Sequence, residues 1–149
     1  MIKRIRKHIS LKEFIKQDMY AAFERAVNWL RGHGATQDFK AAAVGATNTD
    51  TSNTGGITLD FQVYQNFVLT FTGNVTLDNP TTEAVGQSGI IVCIQDATGS
   101  RTLSLGTDYE TAGGSGITLS TAASSVDVIP YFVKAANSIQ LGAVQKAFA

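Results

Sequence analysis

The sequence predicts a mainly β protein, an antiparallel, jelly-roll-like β-sandwich of about seven or eight strands preceded by one long N-terminal α-helix. The apolar period changes from 3.6 residues before residue 34 to 2 residues after Ile57. Gly, Asn, Asp and Ser recur between the short apolar runs of the second region, as turns between strands do. A length of 149 residues with 44% hydrophobic side chains suits one core and excludes a wholly disordered chain.

The helix is predicted from its start signals and its apolar stripe. Ser10-Leu11-Lys12-Glu13 has the form of a capping box, in which serine and glutamate side chains satisfy free backbone N–H groups. Gly32 or Gly34 can end the helix, which gives it a length of about 21 residues or roughly 30 Å. Its apolar residues recur at helical spacing: Leu11, Phe14, Ile15, Met19, Phe23 and Leu30.

The strands are predicted from alternation of apolar and polar side chains. Residues 57–64 and 67–72 suggest a hairpin across Gln65-Asn66. Residues 89–95 carry apolar side chains on both faces, which is typical of a central strand. A last hairpin joins residues 126–133 to 138–144, and Pro130 favours an edge position or a bulge there.

Charge and composition divide the chain into three parts. Residues 1–44 form a basic arm plus an amphipathic anchoring helix, residues 45–56 a polar linker, and residues 57–149 the β-sandwich. The linker is predicted because it has no large apolar side chain. Residues 1–40 carry nine basic and four acidic side chains (9 − 4 = +5), whereas residues 41–149 carry three and eight (3 − 8 = −5). Such asymmetry is typical of a tail with its own partner.

The N-terminal region is therefore predicted to bind a partner through its charges and its apolar stripe. A protein is the favoured partner of the basic arm; nucleic acid is less favoured and a membrane least. No apolar run approaches the ~18–20 residues that span a bilayer. The predicted anchor residues are Lys3, Arg4, Arg6, Lys7, Leu11, Phe14, Ile15, Met19, Phe23 and Trp29.

The β region offers no set of residues for catalysis, a cofactor or a metal. Both histidines precede it, and the single cysteine, Cys93, lies in an apolar run typical of a buried thiol. Asp108 and Glu110 could form an acid–base pair in glycoside hydrolysis, but two solvated loop carboxylates are the favoured interpretation. Tyr64 and Tyr109 are candidates for exposed stacking against a glycan.

The order of several short motifs carries a resemblance across about residues 57–145. The motifs are residues 66–77 (NFVLTFTGNVTL), residues 86–92 (GQSGIIV), residues 95–103 (QDATGSRTL) and residues 119–123 (LSTAA). Together they resemble a β-module of tailed-bacteriophage and prophage structural proteins, which often stands at the C-terminal end of fibre or spike-like chains.

This resemblance implies a component of the virion, with capsid or tail proteins as partners and no catalytic residues. The favoured hypothesis is a fibre, spike or decoration protein that attaches by its N-terminal helix and projects a homo-oligomeric β domain, most simply a trimer. The alternative is a module that binds a host receptor or surface glycan. An enzyme such as a glycan depolymerase is the third hypothesis.

Overall fold

The computed structural model describes residues 19–25 and 44–148. The chain divides into two units, Met1–Ala43 and Val44–Ala149, which are described separately. In the first unit residues 19–25 are helical, within the predicted helix; its other residues lie outside the described part. None of the described helical residues forms a helix long and apolar enough to cross a membrane.

The second unit is mainly β, as predicted, and its strands are numbered in chain order. The strands are β1 (Thr47–Thr58), β2 (Asn66–Asp78), β3 (Ser88–Gln95), β4 (Leu103–Leu105), β5 (Tyr109–Glu110), β6 (Val126–Ala135), β7 (Ser138–Leu141) and β8 (Gln145–Phe148). One 3-10 turn, Ala112–Gly114, follows β5. The predicted count of seven or eight strands is confirmed.

All eight strands belong to one hydrogen-bonded sheet with the order β1-β2-β3-β6-β7-β5, in which β4 also pairs with β2 and β8 with β6. Only β3–β6, β6–β7 and β6–β8 are antiparallel. The pairs β1–β2, β2–β3, β2–β4 and β5–β7 are parallel. The sheet is thus mixed, and the prediction of antiparallel pairing throughout is wrong, because alternation along a strand does not encode the direction of its neighbour.

The segment predicted to be a polar linker forms most of β1 instead, so the linker prediction is wrong for residues 47–56. Backbone hydrogen bonds to β2 hold this segment in the sheet, although it has no large apolar side chains to bury. Asn53 is buried, and its Nδ2 donates to the carbonyl oxygens of Asp50 and Thr70, each at 3.1 Å. A polar strand is therefore stable here because its polar groups are satisfied.

The predicted hairpin between residues 57–64 and 67–72 is also absent, because the chain leaves the sheet after β1. Residues 61–63 form a turn, in which the Asp60 carboxylate accepts hydrogen bonds from the N–H groups of Gln62 and Val63. Leu59 and Phe61 are nevertheless buried. Both lie in the loop that follows β1 and covers the sheet, and they contribute to the core from there. This loop connects β1 to β2, and the two strands run parallel.

The core lies on the inner face of β2, β3 and β6. Its buried members alternate along these strands: Phe67, Leu69, Phe71, Ile91, Cys93, Ile129, Tyr131 and Val133. Phe61 contacts Phe67 and Tyr131 edge-to-face, each with ring centroids 5.2 Å apart. Tyr131 lies opposite Gly89, and a Cβ at Gly89 would clash with the Gln65 carbonyl oxygen and stand 2.9 Å from the Tyr131 hydroxyl. Glycine is therefore required where the Gln65 backbone and the tyrosine approach β3.

Pro130 lies within β6 between β3 on one side and β7 and β8 on the other, so the expected edge position is wrong. Its carbonyl accepts a hydrogen bond from Gly142 N–H at 2.8 Å, which places its backbone N and O on the side of β7 and β8. On that side β7 pairs only from Tyr131 onward and β8 only up to Val128. Proline is tolerated at position 130 because neither β7 nor β8 pairs with the backbone nitrogen there, so no N–H donor is needed.

Candidate docking surfaces and a candidate ligand groove

The described part of the N-terminal helix exposes large apolar side chains. Met19 and Phe23 lie one helical turn apart on the same face, and they are 67% and 66% exposed. Tyr20 lies beside them at 64% exposure, and it is an apolar surface residue that the predicted anchor set did not include. The remaining predicted anchor residues lie outside the described part of the chain: Lys3, Arg4, Arg6, Lys7, Leu11, Phe14, Ile15 and Trp29.

Tyr64 lies at a groove of about 600 Å³ in the β unit. The ring is half-buried and packs edge-to-face on Phe67, with centroids 6.5 Å apart. Three carboxamides, those of Gln62, Gln65 and Gln87, line the same groove. Carboxamides beside an aromatic ring offer donors, acceptors and a stacking surface to a polyhydroxylated ligand.

Two of these carboxamides are fixed by hydrogen bonds. Gln87 Nε2 donates to the Tyr64 carbonyl at 2.9 Å, and Gln65 Nε2 donates to the Ser88 carbonyl at 3.0 Å. Gln87 Oε1 is buried and has no hydrogen-bond partner among the described residues. Sequence reasoning missed this cluster, because no local pattern indicates that Gln87 folds beside residues 62–65.

Tyr109 is not exposed, so the prediction that it is a surface stacking residue is wrong. Its side chain is only 6% exposed, and its hydroxyl is buried with no partner among the described residues. Burial raises the pKa of this hydroxyl strongly, and the nearby Asp108 carboxylate adds to the rise. Tyr109 lies in β5, and its ring is buried in the core. Alternation along a strand does not show which of two neighbouring residues faces the core.

The carboxylates Asp108 and Glu110 do not form a catalytic pair in their observed contacts. Glu110 accepts hydrogen bonds from Lys134 Nζ at 2.9 Å and from Ser138 Oγ at 2.7 Å. The Lys134 bond, and then the Ser138 bond, lower the pKa of Glu110, which keeps it ionised and unsuited to donate a proton. The Asp108 carboxylate instead accepts a hydrogen bond from Thr107 Oγ1 at 3.4 Å, and the Asp108 backbone N–H donates to Asn79 Oδ1 at 3.1 Å.

Other reactive groups are buried in the core. Cys93 is buried as predicted; burial first, and then the Asp127 carboxylate, raises the pKa of its thiol to about 12. The Asp127 carboxylate is itself buried and accepts hydrogen bonds from Ser120 N–H at 2.5 Å, Ser120 Oγ at 2.8 Å and Ala147 N–H at 2.9 Å. Residues 19–25 and 44–148 contain no cluster of three or more His, Cys, Asp or Glu side chains that could hold a metal ion.

Comparison with known proteins gives one match. The sequence profile of a family described as "Putative phage tail fibre C-terminal domain" matches residues 54–138, from within β1 to the first residue of β7. No curated protein and no solved structure matches the chain. The match covers more than half of the chain and agrees with the resemblance found in its strand motifs. The chain therefore belongs to the phage tail fibre C-terminal domain family and is a structural component of the phage virion.

Proposed function

We propose that this chain attaches to other proteins of the phage tail through residues 1–44 and projects its β unit as a homo-oligomer, with a trimer as the favoured state. The observation that carries the attachment proposal is the exposed apolar surface of Met19, Tyr20 and Phe23 on one short helical segment. Full burial of one such side chain contributes about 1.5–3 kcal/mol, so three of them supply a strong driving force for docking.

The charge distribution supports the same proposal. The first seven residues contain Lys3, Arg4, Arg6 and Lys7, and an acidic protein surface would attract them. The β unit has the opposite net charge and therefore would not compete for that surface. The family description names the tail fibre, which favours a tail protein over a capsid protein as the partner.

We further propose that the role is not catalytic. The two carboxylates that could have acted together have separate contacts, Glu110 with Lys134 and Asp108 with Thr107. The lowered pKa of Glu110 argues against a proton donor, because such a donor must hold its proton near the working pH. Saccharide turnover that is lost on replacing both carboxylates by their amides would overturn this part of the proposal.

The attachment proposal is tested with the double variant Met19→Lys/Phe23→Lys. Phage that lacks the natural gene product is supplied with the variant, and the chain is quantified in purified particles. We expect at least about tenfold less variant than wild-type chain, because two apolar contacts are replaced by charges that cannot be buried unpaired. The matched control is Val63→Lys/Val85→Lys, which adds the same charges at exposed apolar positions of the β unit.

Two outcomes would contradict the attachment proposal. Incorporation of the Met19→Lys/Phe23→Lys chain at the wild-type level would show that the helix surface is not needed. An equal loss with the control variant would show that added charge alone is responsible. Circular dichroism melting of each purified chain establishes that the β unit is folded in every variant compared.

The groove at Tyr64 favours a second function, binding of a host surface glycan. Gln62 and Gln65, which are exposed, line this groove beside the half-buried Tyr64 ring, and their amides can hydrogen-bond a ligand. If the groove binds saccharide, Gln62→Ala should weaken binding of the full chain to host cell-surface polysaccharide about tenfold, whereas Gln145→Ala, an exposed glutamine outside the groove, should not. A chain that binds no host saccharide would contradict this second function and leave the structural one intact.

A further inference from the structure

The central strands of the sheet carry apolar side chains on both faces; among the described residues one face is buried, whereas the other is half-buried or exposed. On β3 and β6 the inward residues Ile91, Cys93, Ile129 and Val133 are buried. Their neighbours along each strand point to the other side of the sheet. We call that side the outer face and define it by six residues: Ile90, Val92 and Ile94 of β3, and Val128, Pro130 and Phe132 of β6.

The outer face is one continuous patch because the strand register places its members side by side. Ile90 lies opposite Pro130, and Val92 lies opposite Val128. Ile90 remains 40% exposed and Phe132 44% exposed, although both belong to strands in the middle of the sheet. A polar rim borders the patch, with Ser88 opposite Phe132 on β3 and Gln140 opposite Phe132 on β7.

A central sheet with apolar residues on both faces is normally covered on both. Solvent-facing strands of an antiparallel pair usually alternate apolar with polar side chains, and three successive outward positions on each of β3 and β6 break that rule. An apolar core with a polar rim is the usual composition of a protein–protein interface. The outer face therefore has the composition of an interface.

The charge pattern indicates which partner fits. Residues 41–149 carry eight carboxylates and three cations, yet none of the six outer-face residues is ionisable. Two copies of so acidic a unit repel each other where their carboxylates come close. They are therefore expected to meet at a surface without carboxylates. In a symmetric assembly a residue near the axis meets its own copy, so a charge there would face a like charge. A face without charges in an acidic unit suits a second copy of the same chain.

The shape of this region agrees with self-association. The exposed side chain of Phe132 borders a groove of about 470 Å³, which Glu110, Pro130, Gln140 and Gly142 also line. A face that docks on its own copy must carry both a protrusion and the recess that receives it. The Glu110 carboxylate in this groove is paired with Lys134 at 2.9 Å, so it does not place an unpaired negative charge where two copies would meet.

We infer that copies of this chain associate in the virion by packing their outer faces, those of β3 and β6, against each other. The inference deepens the homo-oligomer part of the proposed function and rests on it, but it does not depend on attachment through the helix. In the favoured trimer the three outer faces would meet around the threefold axis, where each copy contacts the next.

The first test measures the mass of the full chain by sedimentation equilibrium over a range of concentrations. We expect the wild-type chain to be oligomeric and the variant Ile90→Lys/Phe132→Lys to dissociate at least about tenfold more readily. The matched control is Val63→Lys/Val85→Lys, whose side chains are exposed outside this face and which should keep the wild-type mass. An oligomer unaffected by Ile90→Lys/Phe132→Lys would overturn the assignment of the face while the homo-oligomer proposal stands; a monomeric wild-type chain would overturn both.

A second test asks whether the partner is a copy. The Ile90→Lys/Phe132→Lys chain is mixed with an Ile90→Glu/Phe132→Glu chain; if like faces meet, the mixture should recover association that neither chain has alone. Failure to recover it, with both chains folded by circular dichroism, would contradict self-packing.

A milder substitution keeps the inference testable if the charged variants do not fold. The single variants Ile90→Cys and Val85→Cys are alkylated with a maleimide at low and high chain concentration; native Cys93 is buried and serves as an internal reference. We expect the thiol at position 90 to be protected at least about tenfold at high concentration and the thiol at position 85 not to be. Equal reactivity of both thiols at all concentrations would overturn the inference.

Discussion

The inner and outer faces of β3 and β6 are both rich in apolar side chains but differ in their exposure. Ile91 and Ile90 are neighbours in the chain, and the first is fully buried while the second is 40% exposed. The inner face is covered by loops of its own unit, with Leu59, Phe61 and Leu119 among the buried residues. The comparison teaches that one face of these strands stabilises the fold, while we assign the other to assembly.

The largest expected effect comes from the isoleucine on the inner face. Ile91→Ala removes buried carbon atoms and leaves a cavity, so it should lower the free energy of unfolding by about 3–4 kcal/mol. Ile90→Ala, the matched change on the outer face, should lower it by less than about 1 kcal/mol in dilute solution, where the chains are separate. Urea denaturation at about micromolar concentration measures both.

The same two variants separate folding from assembly when the concentration is raised. The effect of Ile90→Ala on stability should grow with chain concentration, because association stabilises the folded state by mass action. The effect of Ile91→Ala should stay constant. If the two variants lose equal stability in dilute solution, the distinction between the two faces is wrong.

The next largest effect concerns Asp127 of β6. Its side chain faces the inner side of the sheet, whereas its neighbours Val126 and Val128 face the outer side. Asp127→Ala would leave the Ser120 and Ala147 N–H groups and the Ser120 hydroxyl without their acceptor. We expect a loss of about 2–3 kcal/mol, because hydrogen bonds to a charged acceptor contribute more than neutral ones and three of them are lost together. Thermal unfolding measures the loss. Ser120→Ala removes one of these bonds and serves as the graded control, at about 1 kcal/mol.

An unchanged melting temperature for Asp127→Ala would contradict the role given to this carboxylate. The inner face would then be stabilised by apolar packing alone, and the loop at Ser120 would need no polar support from β6.

The smallest effect is a pH dependence at the turn that follows β3. Arg101 Nη2 lies 2.7 Å from Asp96 Oδ2, and this hydrogen bond lowers the pKa of Asp96. A carboxylate with a lowered folded-state pKa stabilises the fold above its ordinary pKa of about 3.9, and that stabilisation is lost as the pH falls through the lowered value. Asp96→Asn should therefore reduce the melting temperature slightly at pH 7, and the difference should vanish toward pH 2.

Arg101→Gln is the matched variant for this pH effect, because it removes the partner and leaves the carboxylate. Its melting temperature should depend less on pH between 2 and 5 than that of the wild-type chain. An identical pH dependence in the two chains would show that the ion pair does not shift the titration of Asp96.

Much of the fold could be predicted from local patterns, and the failures have identifiable physical causes. The alternation at residues 67–72 and 126–133, and the doubly apolar run at 89–95, each correspond to a strand in the structure. Strand β1 was missed because its order comes from pairing with β2 and from the buried Asn53, not from apolar side chains. Parallel pairing was not predicted, because side chains alternate with a period of two residues whether the neighbouring strand runs parallel or antiparallel.

The candidate sites were less predictable than the strands. Period-two patterns show that residues alternate but not which set faces inward, and so Tyr109 was wrongly predicted to be exposed. The carboxamide groove joins Gln62 and Gln65 to Gln87 across a loop, and no local signal indicates that contact. The outer face could be predicted in part. A strand with apolar residues on both faces, such as residues 89–95, is normally covered on both faces.

The most direct test of this account is made in the assembled particle. A photo-crosslinking amino acid is placed at position 90 on the outer face, and in a second strain at position 85 as the control. Irradiation should give a covalent dimer of this chain, with the linkage mapped by mass spectrometry to β3 or β6 of another copy, from position 90 and not from position 85. A linkage from position 90 to a different tail protein, or no linkage at all, would contradict the account.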